Sequence, residues 1–144
     1  MDAKVVVWIT ASVSLSFVSW VAYSLATKAK ARRDRKNFSN PKYSIGAAIV
    51  NMERATVYGE GENFKFFARY AIRTCLGMQR AYPPDEPPPE DVSNVLANSG
   101  IGEDLIKRTM DIYLLDALPS DAEKLKGILA SVQVLVNDLL MALN

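Results

Sequence analysis

The sequence predicts an all-α protein: a single N-terminal transmembrane helix followed by a small cytoplasmic bundle of four or five helices. Three observations carry this expectation. Residues 5–26 are 22 positions without one charged side chain. A dense basic cluster follows at once. From residue 63 onward apolar residues recur at spacings of three and four, and no segment alternates with the period of a strand.

A helix of about 20 apolar residues crosses the hydrocarbon of a bilayer. The cluster of Lys28, Lys30, Arg32, Arg33, Arg35 and Lys36 marks the cytoplasmic side of such a span. The expected organisation is an extracytoplasmic tail over 1–4, the span over 5–26, a basic juxtamembrane linker over 27–42 and a helical cytoplasmic domain over 43–144. A bacterial plasma membrane suits this topology, as does an organellar inner membrane. The collar is also placed to touch anionic lipid, at about 1 kcal/mol per residue. The apolar run exceeds the ~7–15 residues of a signal-peptide core, and only Lys4 precedes it, so an uncleaved anchor is expected. Ser12, Ser16 and Ser19 share one helix face. Small residues on one face admit a second membrane helix; alternatively the hydroxyls bond back to their own backbone.

Beyond the span, the helix is expected to continue a turn or two and break at Pro41. Residues 43–58 are ambiguous: Ile45, Ala48, Ile49, Met52 and Ala55 suit a helix, and Gly46 opposes it. Gly59 to Asn63 read as a turn. Its two glycines have phosphate-loop spacing, but no Lys-Ser/Thr follows, and Glu60 and Glu62 would repel phosphate.

Phe64, Phe67, Ala68, Ala71, Ile72, Cys75 and Leu76 predict an amphipathic helix from an Asn63 cap to about Arg80. Arg69, Arg73 and Arg80 fall off its apolar stripe. Cys75 falls within it, as a buried inert thiol does. Pro83, Pro84, Pro87, Pro88 and Pro89 then exclude helix and central strand. They predict a stiff surface loop; the P-x-x-P from Pro84 to Pro87 is alternatively a polyproline ligand. A short helix is expected over 89–97, with Val92, Val95 and Leu96 inward. A second runs over 103–118, burying Leu105, Ile106, Met110, Tyr113, Leu114 and Ala117. Pro119 stops it, and Ser120 with Glu123 reads as a capping box. The last helix runs to Leu143, with more apolar surface than one stripe requires. That excess either completes a core or meets a partner.

The charge balance is uneven. Residues 37–144 carry ten Lys/Arg against fourteen Asp/Glu, a net of −4. A nucleic-acid binder usually presents a basic face, and this segment has none. A helix-turn-helix over 89–118 would begin its second helix with Glu103 and Asp104, the wrong sign for phosphates. The chain has one cysteine and no histidine. Intramolecular disulfides, His-containing zinc sites and Ser–His or Cys–His catalysis are therefore excluded. No catalytic pair, cofactor or metal site is expected. Asp85, Glu86, Glu90 and Asp91, beside the proline loop, are candidate partner-docking residues; their plain reading is a solvated edge with helix N-terminal charge.

Gly100-Ile101, Leu105, Met110 and Leu114, followed by Leu118-Pro119-Ser120-Asp121, resemble the cytoplasmic C-terminal helical domain of the BatD (aerotolerance-type) proteins. The preceding membrane helix fits the same pattern. Members of that family carry large extracytoplasmic β-domains before the span, where this chain has Asp2, Ala3 and Lys4. The resemblance implies a membrane-tethered accessory factor. Its implied associates are von Willebrand A-domain membrane proteins and a MoxR-type AAA+ ATPase. The expected function is a non-catalytic adaptor whose helical domain docks a protein partner. The alternative is a structural subunit of a larger integral membrane complex, held through its span.

Overall fold

Six helices and no strand make up the described residues. The structure is a computed structural model and describes residues 2–38, 40–78 and 83–144, with side chains throughout except at 34–38. The chain divides into two compact units, Met1–Ser39 and Asn40–Asn144.

The first unit is one helix, α1, Ala3–Phe38, of 36 residues. At 1.5 Å per residue it is about 54 Å long. It runs roughly three turns past Ala26, further than the turn or two expected, because no glycine or proline interrupts residues 27–38 and its Ala, Lys and Arg favour helix. None of its 18-residue apolar window is buried.

The second unit holds α2 (Pro41–Tyr58), α3 (Gly61–Cys75), α4 (Pro89–Asn98), α5 (Glu103–Tyr113) and α6 (Ala122–Leu143). Pro41 opens α2 because its missing N–H costs nothing in a first turn. The Asn40 side chain accepts from the Lys42 N–H at 3.1 Å. The ambiguous 43–58 segment is thus helix throughout, with Gly46 on the exposed side. Gly59 ends α2 in the left-handed region at φ +67°, and the Glu60 N–H returns to the Ala55 carbonyl at 2.9 Å.

Two cores share α3 and α6. The first joins Ile45, Ala48, Met52 and Ala55 of α2 to Phe64, Ala68 and Ala71 of α3 and to Leu125, Leu129, Val132 and Val136 of α6. The second joins Ile72 of α3, Val92 and Leu96 of α4, Tyr113 of α5 and Leu135 and Leu139 of α6. Both stripes follow the helical spacing the sequence shows.

Several expectations need correction. The third helix begins at Gly61, not Asn63, whose side chain instead donates to Glu60 Oε2 at 2.8 Å. It stops at Cys75 because Gly77 turns left-handed at φ +67°; Arg80 lies outside the described residues. Helix α5 stops at Tyr113 rather than reaching Leu118. Cations of α3 hold the carbonyls at its end: Arg69 Nε donates to the Tyr113 oxygen at 2.9 Å and Lys65 Nζ to the Asp116 oxygen at 3.1 Å. Leu114 and Ala117, expected inside, are exposed as a result. Asp121, not Ser120, caps α6, accepting from the Glu123 N–H at 2.9 Å.

The 118–120 segment lies tightly against the α2–α3 turn. A Cβ on Gly59 would stand 2.7 Å from the Ser120 carbonyl oxygen, and one on Gly61 3.1 Å from Leu118 Cβ. Gly46 has open space around it. Gly59→Ala should therefore cost at least about 1 kcal/mol, through positive φ and the clash together. Gly46→Ala should gain roughly 0.5–1 kcal/mol in helix propensity. Thermal melts of the full chain in mild detergent should move in opposite directions for the two variants.

Candidate interaction surfaces

The N-terminal helix offers two features, a small-residue face and a basic end. On the face, Ser12 Oγ donates to the Trp8 carbonyl and Ser16 Oγ to the Ser12 carbonyl, each at 2.9 Å. Thr10 and Ser14 bond back in the same way. These hydroxyls are satisfied by their own helix, so the face needs no second helix to tolerate an apolar surrounding. Ser19 lies on the same face and is exposed. Lys28, Lys30, Arg32 and Arg33 are exposed along the following turns; the side chains of Arg35 and Lys36 lie outside the described residues.

The acidic candidates divide. Asp85, Glu90 and Asp91 are exposed, the last two in the first turn of α4, where they complement its dipole. Glu86 turns inward. Its Oε1 lies 2.9 Å from Nη1 of Arg73, and its Oε2 lies 3.8 Å from Nη1 of Arg69. Arg73 is fully buried at 0% exposure, which corrects its placement off the buried stripe. An α3 residue on the flank of the apolar stripe is buried here because the proline loop folds over it and supplies the counter-charge. The Arg69 guanidinium carbon lies 5.4 Å from the centre of the Tyr113 ring, within cation–π range. Glu86 therefore ties the loop to α3, whereas Asp85, Glu90 and Asp91 remain open to solvent.

A third surface escaped the sequence reading. Between α5 and α6 lies an open groove of about 490 Å³. Ile112, Ala130, Ser131, Val134 and Leu135 line it, with Arg108 and Asp111 at its rim. Arg108 bonds to Asp138 at 2.9 Å and lies 4.0 Å from Asp104. The sequence signal was the excess apolar surface of the last helix, but which residues border a groove depends on how α5 packs.

Cys75 is partly buried at the C-terminal end of α3. Burial pushes its thiol from 9.0 up to about 11, partly offset by a backbone hydrogen bond. Among the described residues, no three His, Cys, Asp or Glu side chains converge to hold a metal ion.

Two described helices are long and apolar enough to cross a membrane, α1 over Ala3–Arg33 and α6 over Ala122–Leu143, with mean hydropathies of 1.9 and 1.4. They differ in packing: Leu125, Leu129, Val132, Leu135, Val136 and Leu139 of α6 are core residues. No family model, curated protein or solved structure matches the chain, and the likeness to the aerotolerance-type proteins gains no support from them.

Two outcomes follow from this geometry. Glu86→Ala should destabilise the fold by about 3 kcal/mol, because it removes the carboxylate that accompanies a buried guanidinium. Asp85→Ala should stay within roughly 0.5 kcal/mol, as exposed sites do; chemical denaturation of both variants compares them. The raised thiol value leaves the folded chain about a hundredfold less thiolate at pH 8 than an ordinary cysteine has. Iodoacetamide should therefore label Cys75 about that much more slowly in the folded chain than after denaturation.

Proposed function

We propose that the chain is a membrane-tethered, non-catalytic adaptor, anchored by α1 with its basic end in the cytoplasm and docking a protein partner through the 40–144 unit. The observation that carries this reading is the charge-free run on α1. Trp8, Leu15 and Trp20 of this run are each exposed over 60% of their area, and Val5, Val6 and Ile9 about half. A helix this apolar on every side is stable in lipid, not in water. The six cations that follow orient it. The helical unit beyond has its own two cores and needs nothing from α1 to bury its apolar stripes. By the aerotolerance-type resemblance, the partner is an AAA+ ATPase or a von Willebrand A-domain membrane protein.

The alternative reading is a structural subunit of a larger integral membrane complex. The small-residue face at Ser12, Ser16 and Ser19 favours it, since such faces allow close helix approach.

Membrane extraction tests the tether. The full chain should stay in the pellet through an alkaline carbonate wash and leave it only with detergent. Substituting Lys at both Val13 and Val18 should release it, at a cost of about 2.5–3.5 kcal/mol per mid-span charge. Release of the unaltered chain by carbonate alone would end the tethered reading. Replacing residues 5–26 with an unrelated span separates the two readings. Partner recovery in mild detergent should survive the exchange for an adaptor and be lost for a structural subunit.

A further inference from the structure

We infer that the α5–α6 groove is the docking site for an amphipathic helix of a partner protein, one that carries Lys or Arg beside its apolar stripe. The inference rests on the adaptor reading and names the surface and the partner chemistry it lacks.

The apolar part of the argument comes from α6. Its inward stripe fills both cores, yet its outward face is also nearly uncharged. Gly127, Ala130, Ser131 and Val134 follow one another there at helical spacing, and Met141 continues the face beyond Asp138. All five are exposed, Val134 at 53% and Met141 at 80%. A helix that is apolar on every side is normally covered on every side. From residue 127 to 141 the face is about 21 Å long, the length of four helical turns. A Cβ on Gly127 would meet nothing within 4 Å, and Ala130 and Ser131 are small, so another backbone can approach closely.

The charge comes from α5 and the loops on either side of it. Residues 99–121 carry five Asp/Glu against two Lys/Arg, a net of −3. Arg108, the cation on the rim, already lies against Asp138 and Asp104. Asp111, on the same rim, is exposed and has no ion pair among the described residues. An occupant must therefore bring positive charge to this side of its apolar stripe. A second copy laid on the same face would bring one net-acidic rim against another, since Asp104, Asp111 and Asp138 outnumber Arg108 on each. An anionic lipid surface would meet the same repulsion. A basic amphipathic helix satisfies both the apolar floor and the acidic rim, and such helices recognise grooves through anchors at i, i+3, i+4 and i+7.

The test uses the full chain in nanodiscs of zwitterionic lipid, with empty discs as the blank. The probes are two labelled amphipathic peptides of about 18 residues with the same leucine stripe, one flanked by lysines and one by glutamates. Fluorescence anisotropy should give at least about tenfold tighter binding of the lysine peptide. Val134→Lys and Asp111→Lys lie at exposed positions and should each weaken that binding about fivefold or more. Val57→Lys, on the exposed side of α2, should leave it within about twofold. Equal binding of the two peptides, or indifference to Val134→Lys, would overturn the proposal. So would a dimer in the discs that Val134→Lys dissolves, because a second copy would then be the occupant. Failure of the tether reads out separately: carbonate would release the chain while the peptide titration kept its pattern.

Discussion

A guanidinium taken wholly out of water organises the second unit. Arg73 has no exposed surface, and an ion of that kind costs several kcal/mol to desolvate unless an opposite charge accompanies it. Glu86 is that charge, and it sits in a loop too rich in proline to form any regular element of its own. The ion pair therefore decides where the loop crosses α3. The crossing in turn fixes where α4 starts. One turn earlier on α3, Arg69 holds the last carbonyl of α5 and lies over the Tyr113 ring. Two arginines on one helix thus locate α4 and α5, and Val92, Leu96 and Tyr113 close a core around Ile72 as a consequence.

Helix α6 completes what α3 begins. Leu125, Leu129, Val132 and Val136 serve one core, and Leu135 and Leu139 the other. Two cores on adjacent stripes need an apolar arc wider than a single-sided amphipathic helix supplies. That requirement accounts for the high hydropathy of α6 and for its passing the same length-and-composition test as α1. It does not account for Val134 and Met141, which face away from both cores. The distinction between a helix apolar for its own fold and one apolar for its surroundings lies in these outward positions.

The all-helical class was legible because it rests on local pattern. Spacings of three and four around Phe64, Val92, Leu105 and Leu125 are properties of the chain, and proline and glycine punctuate them at Pro41, Gly59 and Pro89. The readings that failed depend on distant residues. Nothing between 103 and 118 forbids helix up to Leu118; Lys65 and Arg69, about 50 and 44 positions earlier, end it at Tyr113. Arg73 looks like a surface cation until Glu86 is known to reach it. Asp121 displaces Ser120 as a cap by a single position, within the usual uncertainty of helix ends. The α5–α6 groove belongs to two elements at once, so no window of sequence contains it. The serine face of α1 was visible as spacing, but the bonds that satisfy Ser12 and Ser16 follow only once the helix is continuous.

The seclusion of Cys75 makes the chain a convenient scaffold for site-directed probes. It is the only thiol in the sequence, and burial raises its pKa to about 11, which lowers its thiolate fraction at neutral pH. A cysteine introduced on an exposed surface would carry a spin label or fluorophore without a cysteine-free background having to be built first. Distances between such labels, on α2 and across the α5–α6 groove for instance, can be measured in a chain whose own sulfur stays silent. Because Cys75 packs among residues of both cores, its sudden reactivity would also report the moment the fold opens.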